Sequence, residues 1–187
     1  GLCGAGIGDN GMPGLILPFE DYHPKIADSS FIAPDATVIG NVEIGEGSGI
    51  WYKCVLRGDV NEIRIGRNVN IQDSTVIHVA THGQGSYIGD NVSIGHMALI
   101  HACTLEEGSF VGMKACVMDG ARVEQGAMVA AGALVTPGKV VKAGTLWAGS
   151  PARQLRELTD KDREMMHWTW THYVTLAQRH AGSQADV

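Results

Sequence analysis

A six-residue spacing of aliphatic side chains constrains the fold of this chain more than any other feature. From Ile32 to Val135 an Ile, Leu or Val recurs every six positions, with an excess of three residues before Ile65, an excess of five before Ile88 and one short step to Leu105. A period of six fits neither an amphipathic helix nor an isolated alternating strand, and hexapeptide repeats are typical of parallel β-helices. A sandwich of short strands is the alternative, but it would not keep this period over roughly a hundred residues.

Glycine and small side chains accompany the aliphatic residues of the repeat. Glycine often follows directly, as in Ile44-Gly45 and Ile94-Gly95, and a small residue such as Ala98 stands four places on. Three hexapeptides would make one triangular coil, in which the aliphatic side chain points inward, the small residue fills the corner and glycine permits the tight turn. This geometry explains why the chain contains 25 glycines and only 6% aromatic residues. We therefore predict a mainly β fold, a parallel β-helix with strands stacked about 4.8 Å apart.

A C-terminal α-helix is expected where the repeat fades. Turn signals follow Val135, and Thr159 is a good N-cap for a helix with Asp160 and Asp162 in its first turn. The partly apolar face of this helix, most simply explained as packing residues, consists of Met165, Met166, Trp168, Thr169, Tyr173 and Leu176.

These patterns divide the chain into four segments. The first has five glycines and neither the basic start nor the apolar run of a signal peptide. We assign residues 1–11 as a cloning remnant before a natural start at Met12, 12–150 as the β-helix domain, 151–182 as a C-terminal helix packed on it, and 183–187 as a tail.

Composition and charge exclude several classes of function. A formal net charge of −6 and the lack of a Lys/Arg cluster argue against a nucleic-acid partner, because a phosphate backbone selects a basic surface. No apolar run approaches the roughly 20 residues that a membrane span needs. The four cysteines show neither C-x-x-C spacing nor the density of a disulfide framework, which predicts a reducing, cytoplasmic location.

Two histidines fall in one column of the predicted coils. Once the two insertions are removed, Arg57, His78 and His101 each follow an aliphatic residue of the same face in successive coils. His78 and His101 would then lie about 4.8 Å apart, the spacing of neighbouring strands. That separation lets two ring nitrogens bind one metal ion at about 2.0–2.1 Å each.

A third histidine, His96, belongs to a different position of the repeat. It stands two places after Ile94, on the preceding face, so it cannot extend the column. Two prisms packed side by side would let His96 of one subunit face His78 and His101 of the next, and a threefold ring would close this arrangement. Three neutral histidines with an open fourth position are typical of a catalytic zinc ion. The alternative is that the three are separate surface or interface residues.

Several short motifs accompany the histidines. They are Arg57-Gly58-Asp59, Asn70-Ile71-Gln72-Asp73, Ile94-Gly95-His96, Ile100-His101-Ala102-Cys103, Val111-Gly112-Met113 and Gly149-Ser150-Pro151-Ala152. Together with His78 they cover most of the chain, which from about Met12 to Tyr173 resembles the γ-class carbonic anhydrase family. This resemblance implies a left-handed parallel β-helix that assembles as a homotrimer.

The resemblance also implies an activity. The chain would hydrate carbon dioxide reversibly to bicarbonate by a metal-bound hydroxide at a subunit interface, with Zn²⁺ as the metal and Fe²⁺ or Co²⁺ as further candidates. By the same resemblance, His78 and His101 of one subunit and His96 of its neighbour ligate the metal.

Other site residues are carried over from the resemblance alone. Arg57 and Asp59 would form an ion pair between subunits. Gln72 and Asn70 would orient the reacting water and bicarbonate, with positive charge for the anion from Arg57. Tyr173 would border the site from the C-terminal helix.

The loop after His78 departs from the best-characterised family pattern. That pattern provides a glutamate near the site and an acidic loop for proton transfer, whereas here Val60 follows Asp59 and residues 79–87 include no Asp or Glu. His82 is the candidate substitute, because histidine is the usual proton carrier near neutral pH. Two alternative functions stay open: a hexapeptide-repeat acyl-CoA-dependent acyltransferase, which needs only one histidine as a base, and a catalytically weak metal-binding trimeric scaffold.

Overall fold

A computed structural model describes residues 14–185 of the chain. Residues 1–13 and 186–187, which include the expected cloning remnant, Met12 and the end of the expected tail, lie outside the described residues. The elements are β1 (Leu15–Leu17), β2 (Lys25–Ile26), β3 (Phe31–Ile32), β4 (Thr37–Ile44), β5 (Gly49–Ile50), β6 (Val55–Ile65), β7 (Asn70–Ile71), β8 (Val76–His78), β9 (Ser86–Ile88), β10 (Ser93–Ile94), β11 (Leu99–His101), β12 (Thr104–Leu105), β13 (Phe110–Val111), β14 (Cys116–Val117), β15 (Arg122–Val123), β16 (Met128–Val129), β17 (Leu134–Val135), β18 (Val140–Val141), β19 (Thr145–Gly149), β20 (Ala152–Glu157) and α1 (Asp160–Gln184).

The strands form a parallel β-solenoid with three faces, as predicted. The first face stacks β3, β5, β7, β10, β13, β16 and β19, one strand per coil. The second face stacks β8, β11, β14 and β17 below the first part of β6, and the third face stacks β9, β12, β15 and β18 below its last part. Because β4 and β6 bend from the second face to the third, both faces belong to one continuous sheet. The hand of the solenoid stays a prediction of the resemblance.

The interior is the ladder of aliphatic side chains that the repeat predicts. Ile50, Ile71, Ile94 and Val111 are fully buried one above the other on the first face. The ladder continues past Val135, where the sequence pattern fades, through Val141 and the half-buried Trp147. Because polar loop residues surround these positions, the six-residue pattern of the last coil is difficult to recognise in the sequence.

Both insertions bulge from the corner between the second and third faces. Gly40 of β4 pairs with Gly58 of β6, and Val42 pairs with Ile63. Between these pairs β4 has one residue, Asn41, whereas β6 has four, residues 59–62. One coil further on, residues 79–85 connect β8 to β9. Asn61 ties the two insertions together by donating from Nδ2 to the carbonyl oxygens of Ala80 and Gly83, at 3.2 Å each.

The C-terminal segment differs from the predicted helix at its start. The sequence predicts a helix for residues 151–182, but β20 first pairs antiparallel with β19, and α1 begins only at Asp160. The physical reason is that the last coil leaves an open strand edge, whose backbone groups residues 152–157 satisfy. Thr159 is the N-cap as predicted, and it forms a capping box with Asp162.

Helix α1 lies along the first face and covers it. Met166, Thr169 and Ala177 are its buried residues, and Tyr173 and Leu176 pack on the core. The prediction that Met165 and Trp168 are packing residues is wrong for the single chain, since their side chains are 38% and 60% exposed. The helix is rotated so that the face centred on Met166 points inward.

Other sequence features have simple structural outcomes. Within residues 14–185, no helix is long and apolar enough to cross a membrane. Cys54, Cys103 and Cys116 are free thiols, and burial raises the pKa of Cys54 and of Cys103 to about 12, so neither buried thiol is reactive. Cys3 lies outside the described residues.

Candidate metal site

The predicted column of histidines is present at the corner between the second and third faces. His78 ends β8 and His101 ends β11, and the two residues are direct partners in the parallel pairing. Nδ1 of His78 lies 3.2 Å from Nε2 of His101, and the ring centroids are 5.2 Å apart. Both side chains are mostly buried, with 21% and 26% exposure. The backbone register alone therefore brings two ring nitrogens together.

An aspartate holds the outer nitrogen of each ring. Nε2 of His78 lies 3.0 Å from Oδ1 of Asp59, and Nδ1 of His101 lies 2.7 Å from Oδ1 of Asp119. A carboxylate only accepts hydrogen bonds, so the ring nitrogens must donate and carry the protons. In the neutral form of both histidines, the inner nitrogens therefore carry lone pairs that face the gap between the rings.

This arrangement fits two ligand positions of a zinc ion. Two lone pairs that face each other repel unless a cation lies between them. Two tetrahedral ligands at about 2.0–2.1 Å from zinc are separated by about 3.3–3.4 Å, and the observed distance between the inner nitrogens is 3.2 Å. Hydrogen bonds from the outer ring nitrogens to carboxylates are also usual for metal-binding histidines.

Asp59 is fixed by three groups at once. It accepts hydrogen bonds from the backbone N–H of Val60 at 2.8 Å, from His78 and from the Arg57 guanidinium. Burial alone would raise the pKa of Asp59, but these hydrogen bonds and the charge of Arg57 outweigh it and lower the pKa to about 2. Arg57 and Asp59 pair within one chain because residues two apart on β6 point the same way; their pairing between subunits stays a prediction.

His96 lies at a different corner, between the first and second faces. It follows β10, and its Nδ1 lies 2.9 Å from Oδ2 of Asp73, one coil earlier. The His96 side chain is 41% exposed. Within residues 14–185 of one chain, no three His, Cys, Asp or Glu side chains form a group that could hold a metal ion. A single chain thus brings together His78 and His101 and leaves His96 apart.

Asn70 and Gln72 form a buried polar chain beside α1. Nδ2 of Asn70 donates to Oγ of Ser93 at 2.8 Å, and Nε2 of Gln72 donates to Oδ1 of Asn70 at 2.9 Å. Both side chains are on the first face, next to the corner that carries Asp73 and His96. They are therefore close in the fold to His96 and not to the column of His78.

Tyr173 and His82 lie at different corners of the chain, near His96 and after His78 respectively. The Tyr173 ring packs edge-on against Trp51, with ring centroids 5.3 Å apart. Burial, followed by the negative charge of Asp73 at the His96 corner, raises the pKa of Tyr173. His82 is exposed on the loop of residues 79–85, directly after His78. Its role in proton transfer stays a prediction.

Sequence reasoning missed the partners of two histidines, Asp73 and Asp119. A signal was available in the coil length, since Asp119 follows His101 by one uninterrupted coil of 18 residues. Asp73 and His96 also stand two places after equivalent isoleucines in successive coils. The repeat therefore puts an acidic residue within reach of each ring.

The fold and the paired histidines define a hexapeptide-repeat solenoid protein with a candidate metal site. No protein-family model matches the chain. A mitochondrial gamma carbonic anhydrase of Arabidopsis thaliana is 48% identical over 170 residues, covering 88% of this chain and 62% of the relative. A carbonic anhydrase of Geobacillus kaustophilus is 38% identical over 170 residues, covering 91% of this chain and 93% of the relative.

A solved structure supports the same fold. A hexapeptide transferase family protein from Anaplasma phagocytophilum matches with a TM-score of 0.84 and 44% identity, over 87% of this chain and 96% of that one. Given the identity and coverage of the bacterial carbonic anhydrase, this chain belongs to the γ-class carbonic anhydrase family. It spans about three fifths of the length of the plant relative.

Proposed function

We propose that this chain catalyses the zinc-dependent, reversible hydration of carbon dioxide to bicarbonate at a site shared between subunits. The observation that carries the proposal is the 3.2 Å separation of the inner nitrogens of His78 and His101, each ring being held at its outer nitrogen by an aspartate. The relatives named as carbonic anhydrases support the reaction. The metal and the shared site go beyond those names and rest on this chain's own residues.

His96 of a neighbouring subunit is the proposed third ligand. Three ring nitrogens would hold zinc and leave one position open, and Fe²⁺ or Co²⁺ accept the same donors. The bound metal would supply Lewis acidity, which makes water a nucleophile near neutral pH.

The second face supports the assembly of subunits around this site. It lies between the His96 corner and the corner of His78 and His101, and several of its outward side chains are apolar. Val76 and Leu99 are each 38% exposed there, and Met97 beside His96 is 55% exposed. Apolar side chains grouped on one face are typical of interaction sites. Packing of this face around a threefold axis would cover them and bring the two corners of different subunits together.

Polar side chains of the chain would orient the reactants. Because Nε2 of Gln72 donates to Asn70, the Oε1 atom of Gln72 is left to accept a hydrogen bond from water or bicarbonate. Arg57, whose side chain is 46% exposed beside Asp59, would attract the bicarbonate anion. Tyr173 would close the site on the side of α1.

Metal analysis and subunit mixing test this function. Protein purified without chelators is expected to hold about one zinc or iron ion per subunit and to hydrate carbon dioxide in a stopped-flow assay. His96→Ala and His101→Ala should each abolish both properties. Co-expression of the two variants should restore roughly a quarter of the sites, since a site draws ligands from two subunits. Restoration would not occur if each chain carried a complete site.

An acyl-CoA-dependent acyltransferase is the second candidate function. It is favoured by the similarity to the Anaplasma phagocytophilum protein, which is named as a hexapeptide transferase family member. Metal-free protein that binds acyl-CoA and transfers the acyl group would establish this function and refute ours. Protein that binds metal with all three histidines present but has no hydration activity would instead indicate a scaffold.

The location of the protein stays a prediction. The cysteine pattern favours a reducing compartment, and the plant relative is named as a mitochondrial protein.

A further inference from the structure

The side chain of Asp119 contacts the candidate metal site through His101. It lies in the turn after β14, one coil beyond His101, and its Oδ1 accepts the hydrogen bond from Nδ1 of His101 at 2.7 Å. Among residues 14–185, no other side chain forms a hydrogen bond or ion pair with its carboxylate. Its side chain is 45% exposed, so its removal leaves no cavity in the core.

The hydrogen bond to Asp119 decides which nitrogen of His101 carries the proton. A neutral imidazole has one N–H and one lone pair, and the carboxylate holds the N–H at Nδ1. The lone pair is therefore on Nε2, the atom that faces His78. Without Asp119 the other tautomer would place a proton in the gap where the metal is to bind.

We propose that Asp119 is a positioning residue for metal binding, which fixes the tautomer and the ring orientation of His101. This inference rests on the proposed function, because it assigns Asp119 to the same metal site. Asp59 has the corresponding contact with His78, but it also binds Arg57 and Val60, so its replacement would disturb several interactions. Replacement of Asp119 therefore tests the effect on the His101 tautomer without disturbing other side-chain contacts within residues 14–185.

Zinc affinity of the Asp119→Asn variant tests the proposal. Asn has the same shape, but its amide can donate to Nδ1 and so favour the wrong tautomer. We expect zinc to bind about 10- to 100-fold more weakly in competition with a chromophoric chelator. At saturating Co²⁺ the absorption spectrum should keep its wild-type form, because the same ring nitrogens bind the metal. Asp119→Ala, which opens Nδ1 to water, is the second variant and should also weaken binding.

Asp35→Asn is the matched control. Asp35 is 43% exposed and also lies one coil of 18 residues from its partner, since it accepts from the backbone N–H of Lys53. Zinc affinity should not change in this variant, and the two Asn variants should have similar melting temperatures without metal. Wild-type affinity in both Asp119 variants would overturn the proposal and leave the metal site intact. A wild-type protein that binds no zinc would instead refute the proposed function itself.

Discussion

Two parts of the solenoid share one interior and differ at one corner. The inserted coils (residues 56–104) carry two bulges and the paired histidines between the second and third faces, whereas the regular coils (residues 105–141) keep the six-residue period throughout. Across their border Ile100 pairs with Val117, and both are fully buried. The aliphatic ladder thus sets the register in both parts, and the residues outside the repeat make the candidate site.

The largest effect on stability is expected from the ladder. Ile100→Ala should lower the free energy of unfolding by about 2–5 kcal/mol, because it leaves a cavity in a close-packed core. Val117→Ala should lower it less, since a smaller side chain is lost. Chemical denaturation of metal-free protein measures both values.

His101→Ala is the counterpart one residue away. It should lower the free energy of unfolding of the metal-free protein by only about 1 kcal/mol, because it removes one hydrogen bond, yet abolish metal binding. Unfolding of this variant as severe as that of Ile100→Ala would show that the corner supports the fold, and the contrast between ladder and corner would be lost.

Two glycines of the regular coils are required for different reasons, one for close packing of neighbouring coils and the other for its backbone conformation. A Cβ at Gly112 would lie 2.4 Å from the backbone nitrogen of Ala131 in the next coil, whereas a Cβ at Gly126 meets nothing within 4 Å. Gly126 has a φ of +65°, so Gly126→Ala should cost about 1–2 kcal/mol through backbone strain alone. Gly112→Ala should cost more, because the coils must move apart. Equal melting temperatures for the two variants would contradict the close approach.

Low pH is expected to destabilise the first turn of α1, which begins at Asp160. Hydrogen bonds from Arg156 and then from Thr159 hold the pKa of Asp162 well below its usual range. The folded pKa is lower than the unfolded value of about 3.9, so Asp162 stabilises the fold above that value and loses this effect as the pH falls below it. Thr159→Ala should cost about 1 kcal/mol at neutral pH. Circular dichroism should show that wild type and Asp162→Asn differ at pH 6 and converge in strong acid; Asp160→Asn, in the same turn, is the control.

The ladder and the site were predictable to different degrees. A period of six is a local signal, so Ile77, His78, Ile100 and His101 could be placed in register by counting. Counting also puts Asp119 one coil from His101 and Asp73 one coil from His96, but the hydrogen bonds themselves depend on the direction in which the side chains point. Strand β20 was not predicted because it pairs with an open strand edge, and that edge exists only once the last coil has formed.

The smallest expected change in stability is at His82, in the larger of the two insertions. Its side chain is exposed, so His82→Ala should alter the free energy of unfolding by less than about 0.5 kcal/mol. If His82 carries protons to solvent, the variant should keep its zinc and lose hydration rate in weak buffer, and imidazole should restore the rate. Gln84→Ala, in the same loop, is the control and should retain the wild-type rate. An unchanged rate in His82→Ala would mean that protons leave this corner without the loop, and the insertion would then differ from the regular coils in shape alone.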